Sequence, residues 1–142
     1  LCPPCSHVRL GDLTRQGFPF FNGTVRLRTQ VRLSAQDCVD RSLEFGAVHG
    51  HVLRARVNGV EVGVWMWGPY SAPLGDLLQE GDTCIELELT GGLRNLLGPH
   101  HLQEGESYAV GPGCFFNEPN IWGHAAWDER YCFVNFGVDL KD

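Results

Sequence analysis

No apolar run approaches the roughly 18 residues that a transmembrane helix needs, so nothing in these 142 residues reads as a membrane span. Positive charge is scarce: 11 Lys and Arg stand against 17 Asp and Glu, a net charge of −6. That balance argues against nucleic acid or an anionic membrane as partner. The usual catalytic signatures are missing too. There is no G-x-S-x-G, no P-loop, no H-E-x-x-H and no G-x-G-x-x-G, so nothing points to the hydrolase, nucleotide or zinc-protease chemistry they carry. Internal repeats and low-complexity tracts are likewise absent. The chain lacks an initiator Met, and Leu1-Cys2-Pro3-Pro4-Cys5 has neither a basic n-region nor an apolar h-region. We read residues 1–8 as a former linker and 9–142 as one domain, long enough to bury a core.

Six cysteines are present, at positions 2, 5, 38, 84, 114 and 132. Cys84 and Cys132 fall in apolar stretches, where a free thiol behaves as a small buried hydrophobe. Cys2 and Cys5 have the spacing of a redox or zinc motif. No second C-x-x-C exists, and His7 is the sole further ligand nearby, so an inert tail is the plainer reading. This usage suits a reducing compartment such as the cytoplasm better than a secreted disulfide scaffold.

Period-2 alternation dominates the middle of the chain. Leu53, Ala55 and Val57 alternate with Arg54, Arg56 and Asn58, which predicts a half-buried strand. Asn58-Gly59 then predicts a type I′ hairpin turn, and Val60, Val62 and Val64 the return strand. Cys84 to Leu89 alternates again after a turn at Glu80-Gly81-Asp82, and Leu74 to Gln79 reads as a short helical turn. Thr24 to Leu33 predicts a long strand whose Arg26, Arg28 and Arg32 share one solvated face. Leu43 to Val48 is a strand signal broken by Gly46, and Tyr131 to Val138 predicts a closing strand. Antiparallel pairing throughout, with little helix, is expected.

These landmarks resemble the galactose-binding-domain-like jelly roll, the sugar-binding-like β-sandwich of glycoside hydrolases. The residues that carry the likeness are Ala55-Arg56-Val57-Asn58-Gly59, Val62-Gly63, a loop proline that is either Pro69 or Pro73, the Leu74–Leu78 turn, Glu80-Gly81-Asp82 and Ile85–Leu89. Gly17-Phe18-Pro19-Phe20-Phe21-Asn22-Gly23-Thr24-Val25 looks like the family's first strand. The likeness spans about residues 17–138 and implies an all-β antiparallel sandwich with one or two short helical turns. Leu93 to His101 resembles a segment of C-terminal domains in large bacterial glycosidase-like proteins. The implied role is a non-catalytic accessory domain of a carbohydrate-active parent. Its implied partners are carbohydrate or the parent's catalytic module.

The candidate site lies in two late segments that interrupt the strand pattern, 93–101 and 117–128. Leu93, Leu96 and Leu97 form a helical apolar face. A long loop in a compact domain is usually functional or an interface. The two segments are expected to converge, with Trp122 and Trp127 as apolar platforms and Arg94, Asn95, His100 and His101 as polar contacts. Trp65 and Trp67 would share one side of an extended strand, for packing or for stacking on a sugar ring. Glu118 and Asp128 are the loop carboxylates that the alternative, a small glycosidase, would use. The remaining alternative is a structural interaction domain without sugar affinity. His49 and His51 stand two apart, but no third metal ligand is evident. No cofactor is expected, and nothing in the sequence indicates a structural calcium ion. Asn22-Gly23-Thr24 matches a glycosylation sequon, but a turn is the plainer reading.

Overall fold

The computed structural model describes residues 7–103, 110–117, 127–139 and 141. Among them the chain is antiparallel β throughout, with one helical turn and short 3-10 turns. The strands in chain order are β1 (Gly11–Asp12), β2 (Thr24–Leu33), β3 (Ser42–Glu44), β4 (Val48–His49), β5 (Val52–Val57), β6 (Val60–Trp65), β7 (Ser71–Pro73), β8 (Gly81–Thr90) and β9 (Gly137–Val138). The helix α1 is Arg94–Leu97.

Two sheets face each other across the core. The larger has the order β2-β8-β5-β6 and the smaller β1-β9-β4; β3 and β7 pair separately. Alternation decides which side chains meet between the sheets. Leu53 and Ala55 from β5 and Leu87 and Leu89 from β8 are buried against Leu13, Phe136 and Val138, with Val25, Leu27, Val48 and Phe45 packed around them. Burying side chains of this size contributes about 1.5–3 kcal/mol each, which fixes the register of both long strands.

The outer face of the larger sheet carries the alternating charges. Register sets Arg26 and Arg54 on either side of Glu88, and Arg28 and Arg56 on either side of Glu86. Glu88 accepts from Arg26 Nε at 2.9 Å and from Arg56 Nη1 at 3.0 Å. The Arg26 and Arg56 guanidiniums hold its carboxyl below the usual range. The expected arginine face is therefore one half of a cross-strand ion-pair ladder.

The hairpin forms as the alternation predicts. Asn58 and Gly59 have φ of 50° and 82°, the positive values a type I′ turn requires. Asn58 also accepts from the Cys84 amide at 2.9 Å, which ties the turn to β8. A bulge between Ala55 and Arg56 shifts the pairing. Trp65 ends β6, and its indole lies back over Gly63, where a Cβ would collide with the ring.

Several expectations are corrected. The 17–23 stretch is not a strand: a 3-10 turn ends at Gly17, and pairing begins at Thr24. Phe18 and Phe21 instead pack on the core as an edge-to-face pair. Leu43 to Val48 splits into β3 and β4, which belong to different sheets. Pairing of β8 starts at Gly81, inside the expected turn. The closing strand shrinks to Gly137–Val138. Cys84 sits on the charged outer face, where Arg28 Nε donates to its Sγ at 3.1 Å, and Cys132 lies outside any strand; the buried thiol is that of Cys114. Val8, read as linker, packs against the core.

Candidate functional site

The candidate surface is built where the 91–103 segment meets 127–136. Asn95 is the staple. It is 5% exposed, its Nδ2 donates to the Val134 carbonyl at 2.8 Å, and its Oδ1 accepts from the Val134 amide at 2.9 Å. Backbone pairs extend the junction: the Cys132 amide donates to His100 O at 2.5 Å, and the Asp128 amide to His101 O at 2.8 Å. A single bridge joins Leu102 to Trp127.

On this frame the two histidines are fixed by carbonyls. His100 Nε2 donates to Asn95 O at 2.9 Å, and His101 Nδ1 to Asp128 O at 2.9 Å. A carbonyl only accepts, so each bonded nitrogen carries the proton. The rings then gather aromatics. His101 stacks on Trp127 with centroids 4.6 Å apart and planes at 21°. His100 meets Tyr131 at 5.2 Å and Phe20 at 5.7 Å. Phe133 lies 5.0 Å from Phe20 at a near-perpendicular angle. Such separations are those of favourable ring pairs. Phe20 and Tyr131 are exposed at the outer side of the cluster, as are Leu93, which caps α1, and Leu96 and Leu97 on it.

Asp128 anchors the second segment. Its carboxylate accepts from the Arg130 amide at 2.9 Å, from Arg130 Nε at 3.1 Å and from Nη2 at 2.9 Å. The Arg130 hydrogen bonds hold its pKa down at about 2.

The predicted residues divide accordingly. His100, His101, Asn95 and Trp127 come together, with Asn95 as buried support in place of an exposed contact. Arg94 opens instead onto a neighbouring cleft of about 300 Å³, which His49, His51, Asn135 and Phe21 also line. The α1 leucines face outward, because a four-residue helix has one inward position and Asn95 takes it. Trp65 and Trp67 are parted: Trp65 packs on the core beside Phe45, while Trp67 lies beyond the strand end at 72% exposed. Trp122 and Glu118 lie outside the described residues, as do Cys2 and Cys5. Sequence reasoning missed Phe20, Tyr131 and Phe133 as members of the cluster. It also missed His51 as part of a cleft with Arg94. Among the described residues no group of three or more His, Cys, Asp or Glu could hold a metal ion. A second opening, about 440 Å³, lies between residues 7–10, β2 and β3 over the core leucines.

No protein-family model matches the chain, and no curated protein matches it. Among solved structures it is similar to that of a rhamnosidase from Novosphingobium sp. PP1Y, with a TM-score of 0.52 and 24% identity. The likeness covers 61% of this chain and 9% of that chain. It is a likeness of fold: a β domain of this kind occurs as a small part of that much longer protein.

Proposed function

We propose that this chain is a non-catalytic β-sandwich domain of a larger carbohydrate-active protein, and that the histidine–aromatic surface packs against the catalytic module of that protein. The observation that carries this is the fold match to 9% of a rhamnosidase chain. The surface supports the packing half of the reading. Exposed leucines and an edge-on aromatic cluster suit a protein partner better than the parallel, open ring faces that stack on sugars. Leu97 is 62% exposed and Tyr131 57% exposed, large apolar area that a monomer would otherwise leave wet. Asp128 supports the non-catalytic half. A carboxylate bound twice by Arg130 and held ionised is an anchor, ill suited to protonating a leaving group.

The test uses the full-length protein. Leu93→Ser with Leu97→Ser, both exposed, should lower its melting temperature and speed proteolytic release of this domain, while the melting temperature of the isolated chain stays put. An unchanged parent would remove the docking role. Aryl glycosides offered to the isolated chain should not be hydrolysed; turnover abolished by Asp128→Asn would replace the accessory reading with an enzymatic one.

A further inference from the structure

The opening beside β2 runs along the edge of a sheet. Among the described residues β2 forms one margin of the larger sheet and β6 the other. Four consecutive residues of β2, Arg26, Leu27, Arg28 and Thr29, line the opening of about 440 Å³. Successive side chains of a strand point to opposite faces. Space that touches all four therefore follows the edge of the strand, where backbone amides and carbonyls point. The opposite wall comes from residues 7–10 and from β3, and Leu43, Phe45 and Leu87 add apolar lining. The volume lies within the range of ligand pockets.

The charges on the outer face set what kind of strand fits that edge. Register places Glu61 of β6, Arg56 of β5, Glu86 of β8 and Arg28 of β2 in one row, so the signs alternate across all four strands. The neighbouring row runs Arg54, Glu88, Arg26. Both rows end on an arginine at the β2 margin. Arg56, with an acidic residue on each side, has a side chain 26% exposed, whereas that of Arg28 is 62% exposed. Arg28 meets Glu86 of β8 at 3.9 Å and Arg26 meets Glu88 of β8 at 2.9 Å, and both arginines also border the opening. Opposite charges stabilise a cross-strand pair and like charges destabilise it. A further strand therefore continues these rows with acidic residues on the outer face and apolar residues on the inner.

We propose that the β2 edge accepts an added strand from another polypeptide, an extended segment in which acidic and apolar residues alternate. Backbone hydrogen bonds to residues 26–29 hold it in register, and an apolar side chain enters the opening. Its acidic side chains pair with Arg26 and Arg28. Charge disfavours a second copy pairing through its own β2, because arginine would face arginine. Glu44 on the opposite wall is already met by Lys141, whose Nζ donates to its carboxylate. None of these residues belongs to the histidine–aromatic surface, so the two roles stand or fall separately.

The test is calorimetric titration of this chain with the synthetic peptide Thr-Val-Glu-Leu-Glu-Val-Thr, with amide chemical shifts locating the site. Binding should shift the amides of residues 26–29 and 43–45. The peptide with lysine in place of both glutamates should bind about tenfold weaker or more, and so should the glutamate peptide on Arg26→Gln with Arg28→Gln. Exposed ion pairs contribute little stability, so the double variant should keep its fold, and the lysine peptide tests charge on the unaltered chain. Methylating one alternate set of peptide amides should abolish binding and methylating the other should spare it, since one set faces the sheet. Equal binding of the glutamate and lysine peptides would overturn the acidic partner. Equal effects of the two methylation patterns would overturn strand addition. No binding, or shifts confined to other residues, would overturn both. Oligomers of the chain that vanish on Glu61→Gln would give the edge to β6 of a second copy and overturn the foreign strand.

Discussion

Asn95 takes both backbone hydrogen-bonding groups of Val134, donating to its carbonyl and accepting from its amide across 39 positions of sequence. The pair does the work of one rung of sheet without a strand. Asn95→Ala would leave both groups of Val134 without these partners and should cost about 2 kcal/mol or more. Urea denaturation of the isolated chain measures this. Asn95→Asp should also destabilise, because a carboxylate can accept from the Val134 amide but cannot donate to its carbonyl. A neutral result for either variant would show that the junction is held by other contacts.

Gly63 keeps room for the Trp65 indole. Gly63→Ala should force the ring off the core face at about 1–3 kcal/mol, the cost typical of overpacking. Tryptophan emission should move to longer wavelength as Trp65 gains solvent. Unchanged stability and emission would place the indole elsewhere.

Gly59 occupies φ of 82° in the β5–β6 turn. Gly59→Val should destabilise by about 1–3 kcal/mol, because a β-branched residue is strained there. Thermal unfolding should register it, whereas Gly59→Asn should be milder, since Asn tolerates the left-handed region.

The acid limb of the stability curve should carry a contribution from Asp128. Its folded pKa is lowered from the ordinary 3.8 to about 2 by the Arg130 hydrogen bonds. A depressed carboxyl stabilises the fold above its unfolded pKa and loses that effect as pH falls through the folded value. The loss from this group should therefore run from about pH 4 down to about pH 2. Asp128→Asn should flatten that part of the curve. Side-chain carboxyl shifts in a pH titration should give the midpoint directly, and a midpoint near 4 would refute the Arg130 clamp.

What was legible in the sequence was what repeats. The β5–β6 hairpin, β2 and β8 were readable because their apolar residues alternate over six to ten positions and a two-residue turn joins β5 to β6. Tyr131 to Val138 is as apolar as any of them yet forms only two strand residues. Its other backbone groups are met by partners that no local pattern encodes: Asn95 at Val134, His100 at Cys132 and Leu13 at Phe136. The α1 leucines misled for a similar reason, since three apolar residues in one turn look like a buried face. The burial of Asn95 depends on a chain segment 39 residues away. Of the candidate site, the meeting of His101 with Trp127 followed from two interruptions of one strand pattern. The cleft did not, because His49, Arg94 and Asn135 are brought together only by the fold.

β9 is the centre of the smaller sheet, flanked by β1 and β4, yet it follows every other described strand in sequence. A nascent chain that has reached Phe136 holds both outer strands and nothing between them. Sheet closure must wait for Gly137 and Val138, which bridge to Gly11–Asp12 and Val48–His49 together. Pairings this distant in sequence close slowly, because loop entropy is lost before contacts repay it. During synthesis the leucines of β5 and β8 therefore remain uncovered until Gly137 and Val138 emerge, and that interval is when this domain is most exposed to aggregation and to chaperones.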